Sequence, residues 1–344
     1  MKAATPKPIA WIVIPCYNEQ EVLAITAPLF LGKIRELADT GKIGENSKVL
    51  FVNDGSTDGT WETICSFAST DCHALGLCLS RNRGHQNALL AGLMEAREKC
   101  DFTISIDCDG QDDINAMNEM VDAYLGGCDV VYGVRSDRTS DTRFKRRTAQ
   151  QYYRLLRRLG GEIVYNHADY RLLSARVLQE LGDYQEVNLF LRGMVPLVGF
   201  KSTQVSYVRS ERIAGKSHYG LKSMLHLAFN GISSLSAKPL DWILGTGGVF
   251  LALSVIAAIW LLIRWIAGFA NPTWALVLWA VFLLGGLQLA GTGIVGEYVG
   301  RTYLESKRRP RYIVADRTWE PYERHYLEEI ADVPGGKPKE QVRK

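Results

Sequence analysis

The chain lacks the signatures of several common functional classes. It has no GxxxxGK[ST], so the phosphate loop of a nucleotide hydrolase is absent. Its one GxGxxG, Gly291 to Gly296, lies inside an uncharged run instead of between a strand and a helix, so the glycine turn that cradles a dinucleotide pyrophosphate has no support. Charge excess is small: 40 Lys and Arg stand against 37 Asp and Glu, a net +3, too little to hold a nucleic acid by bulk electrostatics. The seven cysteines (Cys16, Cys65, Cys72, Cys78, Cys100, Cys108, Cys128) are odd in number and without CxxC or Cys/His zinc spacing, so they read as reduced thiols facing cytosol. The apolar run Ile9 to Ile14 ends at Pro15 and is too short for the core of a secretory signal.

What is present changes character after Asp241. Residues 243–263 carry no charge, nor do residues 274–296, and each run is long enough to cross a roughly 30 Å hydrocarbon core as a helix. A short connection from Arg264 to Thr273 forces an antiparallel pair. Lys222, Lys238, Arg301, Lys307, Arg308, Arg309 and Arg311 flank the pair on the side of the chain ends, against Arg264 alone at the connection, so the positive-inside rule puts both termini in the cytoplasm. Ahead of the first run, Leu221 to Leu235 has apolar residues at helical spacing, which fits an interfacial helix and a core helix alike. The expected organisation is a catalytic domain over 1–219, a juxtamembrane amphipathic helix over 220–241, two membrane helices within 242–298 and a cytoplasmic tail over 299–344.

The N-terminal part alternates short apolar runs with helix-length segments. Strands are expected at Ile9 to Ile14, Lys48 to Val52, Leu75 to Leu79, Phe102 to Ile106 and Asp129 to Tyr132, an order that argues for an α/β domain with a mostly parallel sheet. In open sheets of this kind ligands sit beyond the carboxyl ends of the strands. That places Tyr17 to Glu19, Asp54 to Asp58 and Asp107 to Asp112 along one crevice. The last segment, Asp107-Cys108-Asp109-Gly110-Gln111-Asp112, offers hard oxygens to Mg²⁺ or Mn²⁺, which take few protein carboxylates and fill their remaining positions with phosphate oxygens and water. Asp-rich segments after strands also serve as plain turns, and Asp112 and Asp113 read that way. Cys108 alternates away from Asp107 and Asp109, so a thiolate ligand is not expected.

IPCYNE (Ile14 to Glu19), VNDGSTDGT (Val52 to Thr60), RNRGHQNAL (Arg81 to Leu89) and DCDGQDD (Asp107 to Asp113), in this order and spacing, resemble the inverting GT-A glycosyltransferases of family 2. VVYGVR (Val130 to Arg135), FKRRTAQQYYRLL (Phe144 to Leu156), ADYRLLS (Ala168 to Ser174), FLRGMV (Phe190 to Val195) and ERIAGKSHY (Glu211 to Tyr219) narrow the likeness. They resemble the polyprenyl-phosphate glycosyltransferases, the dolichyl-phosphate mannose synthase-like group, in its bacterial branch with two C-terminal membrane helices.

The resemblance implies a Rossmann-like GT-A domain, a nucleotide-sugar site at Pro15, Tyr17, Glu19, Asp54, Asp107, Gln111 and Arg135, and a metal, Mg²⁺ or Mn²⁺, at Asp109 with Gln111 and Asp107. It implies acceptor-phosphate contacts from Arg171, Arg192, Arg212, Ser217 and Tyr219. Asp109, Asp169 and Arg212 are the implied catalytic residues, Asp169 as a base or as a positioning carboxylate. His85 and His218 are candidates for substrate contact, and His167 for a structural role. The implied reaction moves one sugar from a UDP-sugar, UDP-glucose ahead of UDP-N-acetylglucosamine, to undecaprenyl phosphate at the cytoplasmic face of the bacterial inner membrane. Membrane lipid and a homo-oligomer, a tetramer in relatives, are the implied partners, the segment Arg309 to Val314 a candidate oligomer contact; no nucleic acid is expected. A processive polysaccharide synthase would need QxxRW and a larger membrane domain. A non-catalytic sugar-nucleotide scaffold would not need Asp107, Asp109, Gln111, Asp169 and Arg212 intact.

Overall fold

A computed structural model describes residues 6–136, 167–184, 191–209, 259, 263, 266–267 and 273–320. Along the chain run β1 (Ala10–Cys16), α1 (Gln20–Asp39), β2 (Lys48–Asn53), α2 (Thr60–Thr70), β3 (Ala74–Leu79), α3 (His85–Ala96), β4 (Phe102–Ser105) and α4 (Ala116–Leu125). Then come β5 (Val130–Arg135), β6 (His167–Ser174), α5 (Ala175–Asp183), α6 (Leu191–Leu197), β7 (Ser202–Tyr207), α7 (Thr273–Ser306) and β8 (Val314–Arg317).

Strand β1 is buried along its whole length because the sheet is covered on both faces. Ile12 and Ile14 pack with Phe51 and with Leu23, Phe30 and Ile34 of α1, whereas Trp11 and Val13 pack with Leu50, Val52 and Leu89 and Leu93 of α3. The period-2 alternation of a strand divides its side chains between the two layers, each fully buried Leu or Ile contributing roughly 1.5–3 kcal/mol. Helix α3 lies close against the sheet: a Cβ at Gly92 would fall 2.4 Å from Val13 Cγ1, so any larger residue there would push the helix off. Pro15 is tolerated in β1 because pairing with β4 ends at Val13↔Ser105.

The eight strands are ordered β7-β5-β6-β4-β1-β2-β3-β8. Strands β4, β1, β2 and β3 are mutually parallel, as the sequence pattern predicts. The sheet is nonetheless mixed, because β6 runs antiparallel between β4 and β5 and β8 antiparallel beside β3. The reversal of β6 has a positional consequence. With Ser105 opposite Arg171 and Phe102 opposite Ser174, the amino end of β6 meets the carboxyl ends of β4 and β1. Strand β7 is parallel to β5, pairing Arg135 with Tyr207, so their carboxyl ends arrive at the same edge.

The C-terminal part departs from a plain tail beginning at 299. Helix α7 continues to Ser306, and β8 completes the sheet, with Tyr312, Val314 and Trp319 packed on the α3-side core. The segment Arg309 to Val314, expected at an oligomer contact, docks on its own chain: Arg311 Nη2 donates to the Tyr184 carbonyl. Residues 321–344 and the juxtamembrane stretch 220–241 lie outside the described residues, as does the first expected span, 243–263, apart from Ile259 and Ile263. The second, 274–296, falls within the 34 residues of α7. Among the described residues no helix is long and apolar enough to cross a membrane.

Candidate active site

The loops after β1, β2 and β4 lie at one edge of the sheet, where two carboxylate centres form. At the end of β2, Gly55 takes a left-handed φ of 62° and packs so tightly on the Arg81 backbone that a Cβ would stand 2.5 Å from the Arg81 carbonyl carbon. This turn brings Asp54 against the loop before α3, where its Oδ1 accepts from the Arg83 amide at 2.7 Å and its Oδ2 from the Gly84 amide at 2.8 Å. Burial raises the Asp54 pKa, against the pull of those two amides. Two lone pairs still remain for a ligand donor, since a carboxylate has about four acceptor sites. Asn18, at a left-handed φ of 53°, ties the neighbouring loop by accepting from the Thr57 amide at 2.8 Å. Tyr17 projects into solvent, 41% exposed, and Glu19 heads α1 with its amide donating to Thr60 Oγ1 at 3.0 Å.

The first centre follows β4. Asp109 is buried, and its Oδ1 accepts from the Gln111 amide at 3.1 Å. Asp107 Oδ1 is a buried atom with no hydrogen-bond partner among the described residues, 3.6 Å from His85 Nε2. Asp112, expected as a turn residue, is instead buried and accepts from Tyr207 Oη at 2.7 Å. Arg135 Nη2 lies 3.6 Å from the same carboxylate oxygen, and Arg135 Nε donates to Tyr207 Oη at 3.4 Å. Burial, then Asp107, raises the Asp112 pKa, with Arg135, Tyr207 and Arg209 opposing. Asp112 is no turn residue because β7 reaches over the loop and encloses a side chain that the local sequence left in solvent. Cys108 turns into the core as alternation predicts.

The second centre is Asp169 at the head of β6. Its Oδ1 accepts from Arg171 Nη2 at 2.6 Å and from Arg192 Nε at 3.2 Å, and its Oδ2 from Arg192 Nη2 at 2.9 Å and Gln86 Nε2 at 3.4 Å. His85 Nε2 is 3.6 Å from Asp169 Oδ2. Burial opposes ionisation, but Arg192, His85 and Arg171 outweigh it and hold the carboxyl well below the usual carboxylate range. Burial likewise favours neutral His85, yet Asp169 and Asp107 raise its pKa above the ordinary histidine value. Arg171 is also fixed from behind, donating from Nη1 to the Leu191 carbonyl at 3.2 Å. His85 therefore stands between the two centres, equidistant from a carboxylate of each.

Asp107, Asp109, Gln111, Asp169, Arg171, Arg192 and Arg135 are thus gathered at one edge, whereas Pro15 is buried within β1. Arg212, Ser217 and Tyr219 lie outside the described residues, as do His218 and the side chain of His167. Sequence reasoning missed Gln86, Tyr207 and Arg209. Gln86 sits next to His85 at the start of α3, so the helix-start position is a usable signal; Tyr207 ends, and Arg209 follows, the alternating strand pattern of residues 202–207, which is the signal for both.

The oxygen donors of the first centre fit a divalent cation. Asp107 Oδ1 is buried without a hydrogen-bond partner among the described residues, and two carboxylates with one amide oxygen are the hard, incomplete set that leaves room for phosphate oxygens. Among the described residues no three His, Cys, Asp or Glu side chains form an all-protein metal cage.

A family model described as glycosyl transferase family 2 matches residues 11–182. The chain belongs to this family. The glycosyltransferase is 47% identical over 308 residues to the uncharacterized glycosyltransferase YkoT of Bacillus subtilis (strain 168), covering 90% of this chain and 91% of that protein. It is 36% identical over 305 residues to the prophage bactoprenol glucosyl transferase homolog of Escherichia coli (strain K12), covering 88% and 97% respectively. The bactoprenol glucosyl transferase of Shigella phage SfX is 36% identical over 309 residues, 89% of this chain and 98% of that one.

Proposed function

We propose that this glycosyltransferase moves one glucosyl residue from UDP-glucose to a polyprenyl phosphate, undecaprenyl phosphate in a bacterium, with inversion at the anomeric carbon. The glucosyl donor and the polyprenyl acceptor are supported by the bactoprenol glucosyl transferases that the chain matches nearly end to end. The observation that carries the reading is the junction at His85, 3.6 Å from Asp107 and 3.6 Å from Asp169, which sets the acidic loop after β4 beside an arginine-rich centre.

Asp54, Glu19 and Tyr17 would receive the uridine, Arg135 the diphosphate. Asp109, Gln111 and Asp107 would hold Mg²⁺ or Mn²⁺, which when bound supplies charge stabilisation to the departing diphosphate. Arg192, a third exposed, with Arg212, would hold the acceptor phosphate, since paired guanidinium N–H groups match phosphate oxygens. Arg171, expected as a phosphate contact, is instead buried and bonded to Asp169 and the Leu191 carbonyl, and braces the centre from behind. One phosphate oxygen attacks the anomeric carbon, the bond from that carbon to the UDP oxygen breaks, and UDP leaves with the electron pair. No proton needs removing from the nucleophile: a phosphate monoester with a second pKa near 6 is largely dianionic at pH 7. Asp169, held ionised well below the usual range, is a poor base. Its part is to fix Arg192, Arg171 and His85 in place.

The uncharged runs 243–263 and 274–296 would bring a lipid acceptor to this crevice from the cytoplasmic membrane face. Exposed Val277, Val281 and Leu284 on α7 support an apolar environment for that helix. Incubating the purified protein with labelled UDP-glucose, Mg²⁺ and undecaprenyl phosphate should yield a monoglucosylated lipid. Transfer from another nucleotide sugar alone, or polymer in place of a single addition, overturns the reading.

A further inference from the structure

Arg209 has no part in the reaction outlined above, yet it lies where a cation is drawn. The pairing of β7 with β5 carries it over the Asp107 to Asp112 loop. Its Nη2 donates to Gln111 Oε1 at 2.5 Å and stands 3.8 Å from Asp109 Oδ2, while its Nε is 3.8 Å from Asp112 Oδ1. Two of the three side chains assigned to the divalent cation therefore already face a guanidinium. A guanidinium and a metal ion cannot share those oxygens, because two cations a few ångströms apart in a half-buried site repel strongly.

We propose that Arg209 is a tethered counter-cation, seated on Gln111 and Asp109 in the free protein and exchanged for the divalent cation when the nucleotide sugar arrives, whereupon it pairs with the diphosphate. The inference rests on the donor site described under the proposed function. Arg209 is suited to both positions: a third of its side chain is exposed, and its planar fork matches a carboxylate and a phosphate equally. Asp112 is the pivot, since Tyr207 and Arg135 hold it wherever Arg209 points. The consequence is that metal binds the free protein poorly and binds together with nucleotide.

The test is Mn²⁺ binding to the full chain, followed by electron paramagnetic resonance without nucleotide, then UDP binding at saturating Mn²⁺. Arg209→Gln should bind Mn²⁺ on the order of tenfold tighter and UDP on the order of tenfold weaker, as a coupling between sites of ordinary size requires. Arg209→Lys keeps the charge and should leave Mn²⁺ affinity within about twofold of wild type. The opposite signs are diagnostic, because a loosened fold weakens both ligands. Unchanged or weaker Mn²⁺ binding by Arg209→Gln, or unchanged UDP binding, overturns the proposal. Asp109→Asn separates the two failures: if it abolishes Mn²⁺ binding the donor site stands and only the Arg209 proposal falls, whereas wild-type Mn²⁺ binding in Asp109→Asn removes the donor site itself.

Discussion

Asp169 and Asp109 are both buried carboxylates at the same sheet edge, and they are built differently. Asp169 is gripped by two guanidinium groups at 2.6 and 2.9 Å, one of them, Arg171, itself buried. Asp109 meets its guanidinium at 3.8 Å, and that partner is a third exposed. Short charge-assisted bonds in a dry setting make a fixed scaffold, because removing either partner strands the other. A long contact to a partly exposed partner can be exchanged for a ligand at small cost. The Asp169 centre, proposed for the acceptor, is preorganised by the fold, and the Asp109 centre, proposed for the donor, would be completed by what binds there.

Breaking the rigid side should have the largest effect on stability. Asp169→Asn leaves the Arg171 charge buried without its carboxylate and should lower unfolding free energy by about 3–5 kcal/mol, seen as a large fall in melting temperature together with lost transfer. A melting temperature equal to wild type would mean that Asp169 is no scaffold. On the other side, Asp109→Asn should lower the transfer rate by about two to three orders of magnitude, as loss of an electrostatic contact to a leaving group does, and shift the melting temperature little. Near-normal turnover in Asp109→Asn would end its assignment to the donor centre.

The pH dependence sharpens the same contrast. The folded-state pKa of Asp169 is depressed, so its stabilisation is complete above the unfolded value, near 3.9, and is lost as pH falls through the lower folded value. The stability difference between wild type and Asp169→Asn should therefore grow as pH falls through the raised His85 pKa, because the imidazolium forms beside Asp169, then hold down to about pH 4 and shrink below it. A difference that already shrinks between pH 7 and 5 would contradict a depressed Asp169. The smallest expected effect belongs to Tyr207→Phe, which removes the 2.7 Å bond to buried Asp112 and should cost about 1–2 kcal/mol in a denaturation measurement.

Much of the proposed donor centre was legible in the chain because its residues are local. Asp107, Asp109 and Gln111 follow a strand that its own apolar run announces, and carboxylates at two-residue spacing share one side of such a segment. Asp112 was misread for a related reason: nothing within its own loop shows that Tyr207, far along the chain, would close over it. Strand β6 escaped notice because its sequence, HADYRLLS, mixes charge with apolar residues, and Arg171 becomes a core residue only through its bond to Asp169.

The sequence by itself determined the family, the four parallel central strands, the oxygen donors suited to a divalent cation and the two uncharged runs near the C-terminus, because each is written in consecutive residues whose spacing matches a strand, a turn or a helix. Only the tertiary structure decided that β6 enters the sheet reversed, which sets Asp169 beside His85, and that β7 lays Arg209 on Gln111. Those contacts join residues scores of positions apart, and what brings them together is strand register, a property of paired backbones that no single segment carries.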